Sequence, residues 1–109
     1  MKTIAITAGR NVGTVPLGDD QWQDLRNQIG ATLANAGATI YTRDAIGSGE
    51  WQSPSGELIR EESVTYVGAI QDATLDALQR NISRIAELFH QDAIALIIGE
   101  SLLIEGGRK

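Results

Sequence analysis

An α+β domain with the element order β-α-β-β-α-β is what this sequence predicts, and three observations carry the prediction. Two stretches repeat apolar residues at helical spacing, four carry strand-like residues, and glycine or Ser-Pro-Ser-Gly signals separate them. The chain of 109 residues fits one domain, near the small end of what folds alone.

Thr3-Ile4-Ala5-Ile6-Thr7 alternates small or polar with branched apolar residues, as a half-buried strand does. Gly9-Arg10-Asn11-Val12-Gly13 then breaks it as a loop. Pro16-Leu17-Gly18-Asp19-Asp20 starts a helix, its aspartates suited to the positive end of the macrodipole. Trp22, Leu25, Ile29, Leu33 and Ala36 form one apolar stripe, and Gly37 supplies the left-handed stop.

Ala38-Thr39-Ile40-Tyr41-Thr42 begins a second strand, interrupted at Gly47-Ser48-Gly49 by an expected bulge or sharp bend before Glu50-Trp51. Ser53-Pro54-Ser55-Gly56 is a turn, and a third strand runs from about Leu58 to Ile70. Paired, these arms would reach ~40 Å at ~3.3 Å per residue. That is too long for so small a domain, so the distal part should bend, project or cover a neighbouring subunit. Asp72 or Thr74 caps a second helix with Leu75, Leu78, Ile82, Ile85 and Phe89 on its apolar stripe and Arg80 and Arg84 on its solvated face. Residues 93–98 form a fourth strand, apolar on both faces. The domain is expected to end at 105, leaving 106–109 as a flexible tail.

Two βαβ-type crossovers joined by a hairpin define a ferredoxin-like unit: a four-stranded antiparallel sheet with both helices on one face and a long hairpin between the middle strands. The other face is then uncovered. Ile94, Leu96 and Ile98 occupy one side of the fourth strand and Ala93, Ala95 and Ile97 the other, while Thr3, Ala5 and Thr7 lie on the open side. A solvated sheet face should alternate with charge. The expected cover is a second copy packed sheet to sheet, giving a homodimer or higher oligomer.

Composition excludes several chemistries. The absence of cysteine removes disulfides, thiolate metal sites and cysteine nucleophiles. The single histidine, His90, excludes His-rich metal sites and sits where a cation suits the end of the second helix. The net charge of −5, without a Lys/Arg run, argues against a nucleic-acid polymer as partner. The longest apolar stretch is broken at Gly99-Glu100-Ser101 and falls short of the ~20 residues of a membrane helix. Met1-Lys2 leads straight into strand-like sequence, without the form of a signal peptide. A cytoplasmic protein (host cytoplasm if phage-encoded) with no membrane contact, metal or cofactor is expected.

Two regions could carry a site. In the loop after the first strand, glycines allow close backbone approach, and Arg10 with Asn11 offers donors to a carboxylate or phosphate. The spacing is neither GxGxxG nor a P-loop. On the hairpin, Arg43, Trp51, Arg60, Glu62 and Tyr66 could surround a planar anionic ligand, with Trp51 or Tyr66 as the stacking plane. Arg–Glu pairing across the strands is the competing structural reading. Arg60 and Glu62 share one face of the third strand, and Glu61 and Ser63 the other. Trp22 belongs to the core stripe.

The GRNVG run at 9–13, Trp22, the GEW at 49–51, Gly56 and the REES at 60–63 together resemble a family of small ferredoxin-like proteins of bacteria and bacteriophages. The resemblance spans Thr3 to Ile104 as scattered residues. It departs at Gly18, where a serine-type cap is expected. It implies a dimeric ferredoxin-like fold and brings no activity or site with it.

The resulting expectation is a non-catalytic, phage-type oligomer that sequesters a small anionic, nucleotide-derived ligand through Arg10, Asn11, Arg43, Trp51, Arg60, Glu62 and Tyr66. Two alternatives stand beside it. One is an interaction module that docks on a host protein through the hairpin. The other is a dimeric α/β-barrel-type enzyme using Glu62 or His90 as a base. The fold class cannot choose among them.

Overall fold

A computed structural model describes residues 1–100 and Gly106. Strand β1 (Lys2–Gly9) alternates as its sequence requires, with Ile4, Ile6 and Ala8 buried on one face and Thr3, Ala5 and Thr7 on the other. The segment expected to be a loop contains a small hairpin of β2 (Asn11–Val12) and β3 (Val15–Pro16). Gly13 makes it possible at φ 63°, a left-handed value that glycine adopts without steric cost.

Helix α1 (Asp19–Asn35) buries Trp22, Leu25, Ile29 and Leu33 against the sheet. Its N-cap is Gly18, with no side-chain capping bond. At its other end Gly37, at φ 71°, sends its N–H to Ala34 O, and Ala38 N–H goes to Leu33 O, a Schellman closure. Strands β4 (Thr39–Gln52) and β5 (Leu58–Ile70) form the long hairpin, turned where Gly56 N–H meets Ser53 O. A 3-10 turn over Asp72–Thr74 leads into α2 (Leu75–Leu88). Neither expected cap residue bonds the helix: the Thr74 hydroxyl donates to Gln71 O instead.

Helix α2 ends in the same Schellman geometry, but with His90 at φ 55° in the left-handed position. Strand β6 (Ala95–Glu100) begins two residues later than the sequence suggested. The expected strand-flanking residues 101–104, the domain limit at 105 and the tail, apart from exposed Gly106, lie outside the described residues.

The sheet is antiparallel in the order β4-β5-β1-β6, with both helices over one face. The mixed α+β class with two helices and four antiparallel strands is therefore as expected. Ile6, Leu25 and Ile29 are fully buried between the layers, each contributing about 1.5–3 kcal/mol of transfer free energy.

The bulge falls elsewhere than expected. Gly47 and Gly49 pair regularly with Ser63 and Glu61, while register shifts occur between Ile40 and Thr42 and between Thr42 and Ala45. Asp44, at φ 54°, lies in this irregular stretch with its carboxylate gripped by Arg26. Beyond it the arms run on, so that the molecule measures 56 × 26 × 25 Å, with Ile46 and Leu58 exposed. Among the described residues no helix is long and apolar enough to cross a membrane.

Candidate functional site

Opposite the helices, the sheet carries a cleft of about 420 Å³. Small residues make its floor. Gly9 pairs with Ser63, and Gly49 pairs with Glu61, on neighbouring strands. A Cβ at Gly49 would lie 3.8 Å from Ser63 Cβ, an ordinary contact, so the glycine leaves open space rather than relieving a clash. Thr7 bonds Thr65 hydroxyl to hydroxyl at 3.0 Å beside this floor. Trp51 and Glu50 come from the hairpin, Asn11 and Gly13 from the β2–β3 turn, and Gln91 and Asp92 from the connection after α2. Gln91 Nε2 donates to Asn11 O at 3.2 Å and ties the last two together.

Among the described residues, the charged ones lining the cleft are Glu50, Glu61 and Asp92, with neither lysine nor arginine. Glu61 is held: its Oε2 accepts the Asn11 backbone N–H at 2.7 Å. Glu50 meets Arg60 at 3.1 Å on the exposed arm. Among the described residues, no group of three histidines or carboxylates is gathered closely enough to hold a metal ion. The arrangement suits an organic cation with a planar part: carboxylates for the charge, an indole for the plane and glycine backbone for close approach.

Of the residues nominated from sequence, Asn11 and Trp51 line this cleft, and the rest do not. Strand parity explains the separation. Ala8 faces the helices, so Arg10, two residues on, lies on that side as well. There Arg10 donates to Leu17 O at 2.7 Å, to Asp19 at 2.7 Å and to Glu62 at 3.1 Å, with its guanidinium 6.0 Å from the Trp22 ring centre. The bond to Asp19, foremost, raises its pKa, and Glu62 is engaged in the same clamp. The guanidinium of Arg43 lies over Gly30 of α1, where a Cβ would come within 2.9 Å of it. Arg60 is exposed beside Glu50. Among the described residues, Arg10, Arg43 and Arg60 therefore do not converge: the first two lie on the helix side of the sheet and Arg60 at the hairpin's edge.

Tyr66 is a core residue rather than a stacking surface. Its hydroxyl donates to Arg26 O at 2.8 Å and lies 3.3 Å from Asp44. Burial, reinforced by the Asp44 charge, pushes its pKa up to about 12. Asp44 takes two bonds of 2.8 Å from Arg26, which hold its carboxyl below the usual range. Arg26 also sits 5.8 Å from the Trp22 ring centre, and the buried indole N–H of Trp22 has no hydrogen-bond partner among the described residues.

Glu61, Ser63, Gln91 and Asp92 also line the cleft, although the sequence did not nominate them as ligand contacts. The signal for the first two was present: Gly9, Glu61, Ser63 and Gly49 fall on one face once β4 and β5 are paired. Gln91 and Asp92 carried none, because only the tertiary path after α2 brings them beside Asn11.

No protein-family model matches the chain, and no curated protein matches it. Among solved structures, the chain is similar to a phage SAM lyase in complex with S-methyl-5′-thioadenosine. That likeness has a TM-score of 0.65 and 21% identity, covering 91% of this chain and 80% of the other. A phage SAM lyase in the apo state gives a TM-score of 0.64 at 20% identity, covering 89% of this chain and 78% of the other. A duf3240 family protein from Shewanella baltica gives 0.51 at 10% identity, over 99% and 97% of the two chains. These likenesses establish a shared fold.

Proposed function

We propose that this chain is a phage-type protein that binds S-adenosylmethionine in the open-face cleft and cleaves it to S-methyl-5′-thioadenosine. The observation that carries the reading is the cleft itself: acidic, glycine-floored and bordered by Trp51. The fold likeness to a phage SAM lyase supports it, and the strand order β4-β5-β1-β6 supports the ferredoxin-like unit.

S-adenosylmethionine carries a sulfonium and an ammonium against one carboxylate, a net positive charge that matches Glu61 and Asp92; Glu50 is engaged by Arg60 across the strands. Its adenine is a plane that can stack on Trp51. Cleavage to the thioadenosine breaks the bond between sulfur and the aminobutyrate chain, and the electron pair stays on sulfur. The carbon chain compensates by closing on its own carboxylate oxygen, which displaces the sulfur without releasing a proton, so neither water nor a cofactor is consumed. Glu61, the carboxylate fixed by a backbone donor, anchors the positive charge. The neutral thioether loses that attraction and leaves. The ligand remains nucleotide-derived, as the sequence suggested, with its charge reversed and chemistry added.

Away from the cleft the same face exposes Ile97 beside Ala5 and Ala95. A second copy of the chain covers it in this reading, and sedimentation at micromolar concentration would show a dimer or larger species rather than a monomer.

The test is incubation with S-adenosylmethionine and detection of S-methyl-5′-thioadenosine by mass spectrometry. Product is expected from the wild type and is lost in Glu61→Ala and Trp51→Ala. Tight binding without product would return the protein to sequestration, and no binding would reject the reading.

A further inference from the structure

Gly9 has no conformational reason to be glycine. It lies in regular β1 pairing, opposite Ser63, and its φ is outside the left-handed range. Glycine inside a strand is entropically unfavourable relative to alanine by about 0.5–1 kcal/mol. What stands where its side chain would be is the carboxylate of Glu61: a Cβ on Gly9 would meet Glu61 Oε1, Cδ and Oε2, in that order, all closer than any real contact permits. The same carboxylate accepts the Asn11 N–H two residues along. The end of β1 therefore offers a seat made of a missing side chain and one backbone donor.

We infer that Gly9 is a positioning residue, the one that sets the orientation of the Glu61 carboxylate in the cleft before any ligand arrives. The functional consequence rests on the S-adenosylmethionine reading; the seat does not. A charged-acceptor bond that fixes a flexible side chain removes rotamers the ligand would otherwise have to freeze. The three atoms nearest to its hypothetical Cβ all belong to the Glu61 carboxylate, so Gly9 is placed to act through Glu61. The contrast with Gly68 is useful. There a Cβ would strike the backbone oxygen of Thr39 at 2.5 Å, so that glycine serves the β4–β5 approach and no side chain.

The experiment is a cycle of Gly9→Ala, Glu61→Ala and the double variant, read first without ligand by amide hydrogen exchange at Asn11 and by Tm. In Gly9→Ala the carboxylate is pushed off its seat, and Asn11 exchange should accelerate on the order of tenfold, the loss of one hydrogen bond to a charged group. In the Glu61→Ala background the same substitution should change neither exchange nor Tm adversely, because nothing is left to displace. Glu61→Gln keeps an acceptor for Asn11 and should keep its protection. Wild-type exchange in Gly9→Ala, or an additive cycle, would overturn the inference.

Titration with S-adenosylmethionine then separates the two claims. Binding that weakens about tenfold in Gly9→Ala supports both. Unchanged binding, with Asn11 exchange accelerated, would overturn the positioning role while leaving the ligand reading intact. Absence of binding in the wild type would reject the ligand reading alone, since the ligand-free cycle still decides the seat.

Discussion

The two faces of one sheet divide the labour of this molecule. Strands β1 and β5 contribute to both by alternation, yet the helix side receives Ile4, Ile6, Val64 and Tyr66 while the open side receives Thr7, Gly9, Glu61 and Ser63. Arginine follows the same division. Arg10, Arg26 and Arg43 brace α1 on the helix side, and the cleft on the other side is lined by carboxylates. The difference teaches that charge count along a chain says little about a site. Of the arginines that stood out in an acidic sequence, Arg10 and Arg43 lie against α1, and the less conspicuous glycines and carboxylates line the cleft.

The largest way to break the comparison is at neighbouring residues of β1. Ile6→Ala should destabilise by about 3–4 kcal/mol in denaturant unfolding, the cost of a fully buried aliphatic truncation. Thr7→Ala, one residue on and facing the cleft, should cost under about 1 kcal/mol and act on S-adenosylmethionine affinity instead. Equal stability losses at the two positions would erase the division.

Tyr66→Phe comes next. Removing its hydroxyl from Arg26 O and Asp44 should cost about 1–2 kcal/mol without altering ligand affinity. It should also change the alkaline limb. The folded pKa is raised to about 12 from an unfolded value near 10, so this stability is fully present below pH ~10 and is lost as pH rises toward 12. The phenylalanine variant should lack that part of the decline. Asp44 gives the opposite sign. Its folded pKa is depressed, so its contribution is present above about pH 4 and is lost on further acidification. Asp44→Asn should flatten the acid limb.

The smallest effect lies where the two regions join. Helices α1 and α2 close alike, but Gly37 occupies the left-handed position in one and His90 in the other. His90→Gly should raise stability by about 0.5–1 kcal/mol in thermal or chemical unfolding. Because Gln91 follows directly and reaches Asn11 over the cleft, ligand affinity should be preserved only if the closure keeps its geometry.

Much of the fold was legible because its determinants are local and periodic. The stripe of Trp22, Leu25, Ile29 and Leu33 is a period of 3.6 written in sequence, as is the stripe of Leu78, Ile82 and Ile85 on α2. The alternation of Thr3 to Thr7 announced both faces of β1. The register of the hairpin was not legible, since the irregularity around Asp44, whose carboxylate bonds Arg26 of α1, is marked by no glycine. The β2–β3 hairpin was hidden for a related reason, with four strand residues and one turn glycine too short to show a period. The site was half visible. Asn11 and Trp51, nominated from sequence beside glycines, line the cleft. Arg10 was assigned to a ligand because its partner Glu62 lies far off in sequence and is joined to it only by folding.

The most direct test of the central claim is an NMR titration of the uniformly labelled protein with S-adenosylmethionine. The account predicts shifts concentrated at the amides of Thr7, Gly9, Asn11, Gly49, Trp51 and Ser63, with the amides of α1 and the guanidinium signals of Arg10 and Arg26 unmoved. Shifts centred on those arginines, or none at millimolar ligand, would contradict it.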